Sequence, residues 1–380
     1  MRVFRATRGN IRAAISSTYN NCLQLLYHKL DNLSLNFAHS IINNFTVILI
    51  TLSHFIKIKL KPGQQTPFSP FQNCLKCDIL YNKGGSNLLK KAAYFFIILA
   101  AVFWGTMGFF VETMTSLGFS RMQIVFLRAV ITAAALIIYT AVTDRKAFSI
   151  HLRDIWIFLG TGICSFVFFS YCYFLAMQMT TLSVAAVLLY TSPIFVVLLS
   201  ALLFREKLTK RKLLAIAITF LGCVLVSGGF GHAGIPLSGI LVGLGAGLGY
   251  ALYSIFGRYG LNRYSTLTVT LYTFIVAGIA CLPFVSIKET FALMDSPQAF
   301  TWVALLGIIT CVVPYLSYTK GLSLTETSTA AVIATLEPVV ATLISVFYFH
   351  EQMTTGKIIG IFMILFSVYI INGHLTKSVK

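Results

Sequence analysis

Past about residue 90, the chain reads as long apolar blocks separated by short polar gaps, not as the alternation expected of half-buried strands. A helix crossing a bilayer needs about 20 mostly apolar residues, and many of these blocks reach that length. Ten spanning helices are predicted from Ala92 onward: 92–111, 122–143, 155–177, 181–204, 211–229, 237–257, 265–286, 300–319, 326–349 and 357–373. The gaps are often clusters of Gly, Pro and Ser, as between Ser227 and Pro236.

Composition supports the same class. Hydrophobic residues make up 57% and charged residues 11% of the 380 positions, whereas a soluble domain carries roughly 25% charge. The net charge of +18 would suggest nucleic acid on a soluble protein. Here the basic residues cluster in the gaps between apolar blocks, which argues for a lipid bilayer as partner and against nucleic acid.

The charges also orient the bundle. Lys90 and Lys91 precede the first block, and Arg145, Lys146, Arg153, Arg205, Lys207, Lys210, Arg211, Lys212, Arg258 and Arg263 follow on the same side. Loops near Thr180 and His232 carry neither Lys nor Arg, and Lys288 is the main outlier. A multi-pass protein of the bacterial cytoplasmic membrane with both termini inside is expected.

A repeat runs through the apolar region at an offset of 145 residues. Ser183–Lys212 aligns without gaps on Ser328–Lys357, with 11 of 30 positions identical. Among them Pro193 matches Pro338, Glu206 matches Glu351, and Lys212 matches Lys357. The expected units are 88–229 and 230–380, each with five helices. An odd number makes the two copies upside down relative to each other, an arrangement typical of secondary transporters. The loops agree: Arg205-Glu206-Lys207 becomes His350-Glu351-Gln352 in the second copy, with its basic residues stripped.

Residues 1–87 differ from the rest, with ten Lys/Arg against two Asp/Glu and no sustained helical period. The apolar run Phe45–Ile56 is too short to span and is interrupted by His54. Lys83-Gly84-Gly85 is a tripeptide whose codons can spell a bacterial ribosome-binding element, with Leu88 a short spacer downstream as an alternative start codon. Residues 1–87 are therefore read as a leader, either a translated upstream sequence or a disordered or interfacial tail.

The residues Phe103-Trp104-Gly105, Phe126-Leu127-Arg128 and the blocks Tyr190-Thr191-Ser192-Pro193 with Phe204-Arg205-Glu206-Lys207-Leu208-Thr209 are informative. So are their counterparts Leu336-Glu337-Pro338 with Phe349-His350-Glu351-Gln352-Met353-Thr354. Over about 90–375 this pattern resembles the EamA-type branch of the drug/metabolite transporter superfamily. The resemblance implies an all-α integral membrane bundle of ten helices in two inverted five-helix repeats. It also implies a central cavity and export of amino acids, amines or related small molecules. Ser192 departs from the Glu found at 337, and the leader has no family counterpart.

Glu337 is the most informative single residue, because a carboxylate in an apolar span costs about 2.5–3.5 kcal/mol on insertion scales. It is a candidate proton carrier or substrate contact, or a structural group serving the backbone left open by Pro338. Arg128 is the other charge within a span, and Glu112 is its expected ion-pair partner. Trp104, Tyr171, Tyr190, Tyr250, Tyr253 and Tyr318 are candidate cavity residues for cationic or amphipathic solutes, although aromatics in membrane helices also serve as packing or interface anchors. Pro193 and Pro338 are expected to kink their helices. Gly243, Gly245, Gly247 and Gly249 read as close helix packing, not as a phosphate loop.

No Walker, HExxH or Ser/His/Asp grouping is present. No cofactor, metal or catalytic group is expected, and Cys74-Leu-Lys-Cys77 is a lone CxxC pair. The expected function is secondary active export of small metabolites in exchange for protons. A passive facilitator or channel is the alternative.

Overall fold

The computed structural model describes residues 85–228 and 236–372. The expected leader lies outside the described residues except for its last three positions, and Cys74 and Cys77 lie outside them altogether. The described residues are helical throughout, with no strand among them.

Among the described residues, eight helices are long and apolar enough to cross a membrane. They are α1 (Leu89–Ser116), α2 (Arg121–Thr143), α3 (Leu152–Met179), α4 (Leu182–Phe204), α6 (Leu237–Leu261), α7 (Thr266–Phe284), α8 (Pro297–Leu324) and α9 (Thr327–Phe347). Two shorter helices, α5 (Lys210–Val226) and α10 (Thr355–Asn372), complete the described set of long elements. The expectation of ten spans is thus met in eight. At 1.5 Å per residue, the 17 residues of α5 reach about 25 Å, short of a hydrocarbon core of about 30 Å. Its first turn is also spent on Lys210-Arg211-Lys212.

Helix ends follow local chemistry. Ser120 caps α2 by accepting from the Gln123 N–H, while the Gln123 side chain accepts from the Ser120 N–H at 2.8 Å. Thr181, Thr209 and Ser265 cap α4, α5 and α7 in the same single-acceptor manner.

Small residues set the closest approaches. A Cβ added to Gly360 of α10 would lie 2.6 Å from the Gly222 carbonyl of α5. Beyond that crossing, Thr219 bonds Ser367 at 2.6 Å, and Gly356 faces the Leu225 carbonyl. Ascending α5 therefore meets descending α10, an antiparallel pair held by small residues and hydroxyls. On α6, Gly247 lies against the Leu188 carbonyl and Gly249 against the Phe169 backbone, which brings α3 and α4 close to it.

Helices α4 and α9 also run in opposite directions. Glu206, just past α4, meets Thr327 and Ser328 at the start of α9. Val197 clusters with Val332, Val196 with Ala331, and Tyr190 packs in the same cluster as Leu336. Both helices break at matching places, at Tyr190–Thr191 and at Thr335–Leu336, just ahead of Pro193 and Pro338. A proline cannot donate to the preceding turn, so carbonyls are left free there. Thr191 and Thr335 each return a hydroxyl to a carbonyl three residues back, Leu188 at 2.6 Å and Val332 at 2.5 Å.

Candidate functional site

Around the broken segment of α9, the sequence places a carboxylate where the helix restarts, so Glu337 faces the neighbouring α6 rather than its own ladder. Tyr250 donates its hydroxyl to Glu337 Oε2 at 3.0 Å. One helical turn further along α6, Ser254 pairs with Tyr318 of α8 at 2.7 Å, and the adjacent Tyr253 pairs with Thr319 at 2.6 Å. The four-residue spacing of Tyr250 and Ser254 keeps them on one face of α6.

Trp104, at the break of α1, is the hub of an aromatic cluster. Its ring lies 5.2 Å from Tyr315, 5.2 Å from Tyr318 and 6.0 Å from Tyr250, mostly edge to face. Two small cavities open within this cluster and share Tyr250, Ser254 and Tyr318. One is lined also by Tyr190, Ser192, Thr335 and Glu337, the other by Trp104, Ser165, Phe169, Tyr253 and Tyr315. Each offers about 10 Å³ to the centre of a water molecule. That is the scale of a single water, so a metabolite enters only if the cluster parts.

Arg128 stands at the far side of the aromatic group. It is 3% exposed, donates from Nε to Thr310 Oγ1 at 3.1 Å, and lies 5.4 Å over the Phe166 ring. Phe166 touches Tyr315, which links Arg128 to Trp104 through two rings. The guanidinium's two terminal nitrogens have no hydrogen-bond partner among the described residues. Thr310→Val is accordingly expected to lower stability by about 1–3 kcal/mol, because the last polar partner of a buried cation is removed. Thermal unfolding in detergent measures it, and an unchanged midpoint would contradict the assignment.

The expected Glu112–Arg128 ion pair is not formed. Glu112 is exposed and makes no ion pair within 4 Å among the described residues, whereas Arg128 points to α8 and the Phe166 face. On α1, Glu112 lies beyond the Gly105–Met107 break, and the face it presents turns outward. Tyr171 also falls outside the cluster, 46% exposed and beside Phe284 on the bundle's flank. Phe169, two residues earlier, takes the inner place and meets Tyr250 at 5.4 Å. Trp104, Tyr190, Tyr250, Tyr253, Tyr318 and Glu337 all line the cavities.

Sequence reasoning missed Ser254, Tyr315, Phe166 and Thr310. Helical spacing carried a signal for two of them: Ser254 follows Tyr250 by four, and Tyr315 precedes Tyr318 by three. A larger concavity of about 560 Å³ lies among Asp144, Lys146, His151, Asp154, Arg263 and Tyr264, and shares no lining residue with the aromatic cavities. Its central charges satisfy one another, with Arg263 and Tyr264 both donating to the buried Asp154. No group of three or more His, Cys, Asp or Glu able to hold a metal occurs among the described residues.

The EamA-like transporter family is matched twice, by residues 91–228 and by residues 237–373. The chain belongs to that family. Each match takes up one of the two sequence copies, so the duplication and the membrane-transporter class stand together. An uncharacterized transporter of Archaeoglobus fulgidus is 28% identical over 278 residues, covering 72% of this chain and 94% of that protein. The uncharacterized transporter YxxF of Bacillus subtilis is 27% identical over 286 residues, covering 73% and 89%. A crystal structure 19% identical in sequence superposes with a TM-score of 0.63, covering 76% of this chain and 99% of that one, which supports the fold alone.

Proposed function

We propose that this EamA-family chain is a secondary active transporter of the cytoplasmic membrane that exports small zwitterionic or amine metabolites in exchange for protons. Amino acids are the substrate class that fits best. The carrying observation is the arrangement of Glu337 with Tyr250 at one side of an aromatic cluster and Arg128 at the other. A carboxylate attracts an ammonium, a guanidinium with free donors attracts a carboxylate, and aromatic faces accept the body between them.

The two copies are read as inverted, with α5 and α10 counted as the fifth and tenth spans. Antiparallel α4/α9 and α5/α10 pairs support that reading. Basic loops on one side support an N-in and C-in orientation. Transport then proceeds by the two halves exposing the cluster alternately to each side. The tightness of both cavities favours this over a permanently open facilitator.

Everted vesicles containing the protein test the proposal, with the twenty radiolabelled amino acids supplied outside and an imposed proton gradient. Gradient-dependent accumulation of one or more amino acids is the expected result. Uptake that ignores the gradient would favour a facilitator, and no uptake of any amino acid or simple amine would overturn the substrate class.

A further inference from the structure

The two sequence copies use the same carboxylate differently at the two ends of the bundle. Arg205 and His350, 145 residues apart, both take the left-handed backbone conformation, with φ of 55° and 56°. The next residue in each copy turns its N–H back to a serine carbonyl, Glu206 to Ser200 at 3.3 Å and Glu351 to Ser345 at 3.1 Å. Six residues further on, Lys212 and Lys357 each reach the glutamate of their own copy, at 3.7 Å and 2.9 Å. The local build is the same.

The contacts beyond it are not. Glu206, about 10% exposed, receives the Thr327 N–H at 2.8 Å, the Ser328 N–H at 3.2 Å and the Ser328 hydroxyl at 2.5 Å. It thereby closes the start of α9, which Glu326 leaves without a side-chain cap. Burial pushes the Glu206 carboxyl up, but the hydrogen bonds from Ser328 and Thr327 outweigh it and hold the group below the ordinary carboxylate value. It therefore stays ionised near neutral pH.

Glu351 is 54% exposed, and among the described residues its carboxylate meets only its own Lys357. The residues equivalent to Thr327 and Ser328 are Leu182 and Ser183, at the start of α4. Both are exposed, and their N–H groups have no partner among the described residues, since Thr181 caps only Val184. They lie at the same end as Glu351: Gly356 approaches the Leu225 carbonyl, and Gly228 approaches the Ser183 hydroxyl.

We propose that Glu206 and Glu351 are alternating latches of one gate. Glu206 on Thr327–Ser328 seals the basic end in this structure, and Glu351 on Leu182–Ser183 seals the opposite end in the second conformation. Antiparallel α4 and α9 both pack against one cluster near their mid-helix breaks, at Tyr190 and Leu336, so pivoting there brings one end together as it parts the other. The proposal rests on the alternating-access reading above.

Ser192→Cys, in the cavity lining, serves as a reporter. Its labelling by a membrane-impermeant maleimide is read in right-side-out and everted vesicles, against the same protein with native Ser192. Glu206→Gln is expected to raise labelling from the basic face and lower it from the other, shifting the ratio roughly tenfold, the scale of losing hydrogen bonds to a charged group. Glu351→Gln is expected to shift the ratio the opposite way. Should Glu206→Gln fail to reach the membrane, Ser328→Ala carries the same test with a smaller shift. An unchanged ratio in folded protein, or both glutamine variants moving it in the same direction, would overturn the latch. Because labelling needs no substrate, its outcome is independent of the amino-acid assay.

Discussion

Glu337→Gln is expected to reduce proton-driven uptake of a transported amino acid by at least roughly tenfold, with the protein still folded and inserted. Glutamine has nearly the shape of glutamate and keeps an oxygen that can accept from Tyr250, which donates at 3.0 Å in the native protein. What it cannot do is hold a negative charge or take up and release a proton. The substitution therefore separates two roles. If Glu337 only fills the space beside the α9 break, the amide serves as well and uptake is unaltered. If the carboxylate balances the charge of an ammonium or a proton, gradient-driven transport fails. Substrate-for-substrate exchange, measured without a gradient, distinguishes further, because exchange retained while driven uptake is lost isolates the proton step.

Gly360→Val is expected to be the most damaging single change to stability. The added Cβ would meet the Gly222 carbonyl at 2.6 Å and the Val226 backbone nitrogen at 2.9 Å. Those are main-chain atoms, so no side chain can rotate away, and the helices must separate. Overpacking in a filled core typically costs about 1–3 kcal/mol. Here the separation would also pull apart the Thr219–Ser367 hydrogen bond at 2.6 Å. A marked fall in the thermal midpoint in detergent is the measurement. Gly108→Val provides the control, since a Cβ there meets nothing within 4 Å. Equal losses at both positions would point to a general intolerance of β-branching.

Helix positions and the duplication were legible because apolar length and a 145-residue offset are properties of the chain itself. The match of Pro193 with Pro338 foretold two broken helices, and both breaks occur at the same register. Five of the six aromatic candidates line the cavities for a related reason: large aromatics with polar tips, set in otherwise aliphatic spans, have few places to hydrogen-bond except the sparse Ser, Thr and Glu side chains of the interior. Tyr171 failed this rule. Its rotation about α3 is set by the irregular segment Gly160–Val167, which shifts the helical phase by an amount no periodicity analysis contains. The Glu112–Arg128 pairing failed because charge complementarity specifies no partner when a ring face and a threonine hydroxyl lie nearer.

The narrowness of the two cavities has a consequence for the cell's energy supply. Space for one water at a time within this ring of aromatic side chains gives hydrated sodium or potassium no continuous wet route through these two cavities in this conformation. An idle copy in this state would leave the electrical potential of its host membrane intact, however many copies are present. Planar-bilayer recordings should therefore stay at the baseline of the lipid alone.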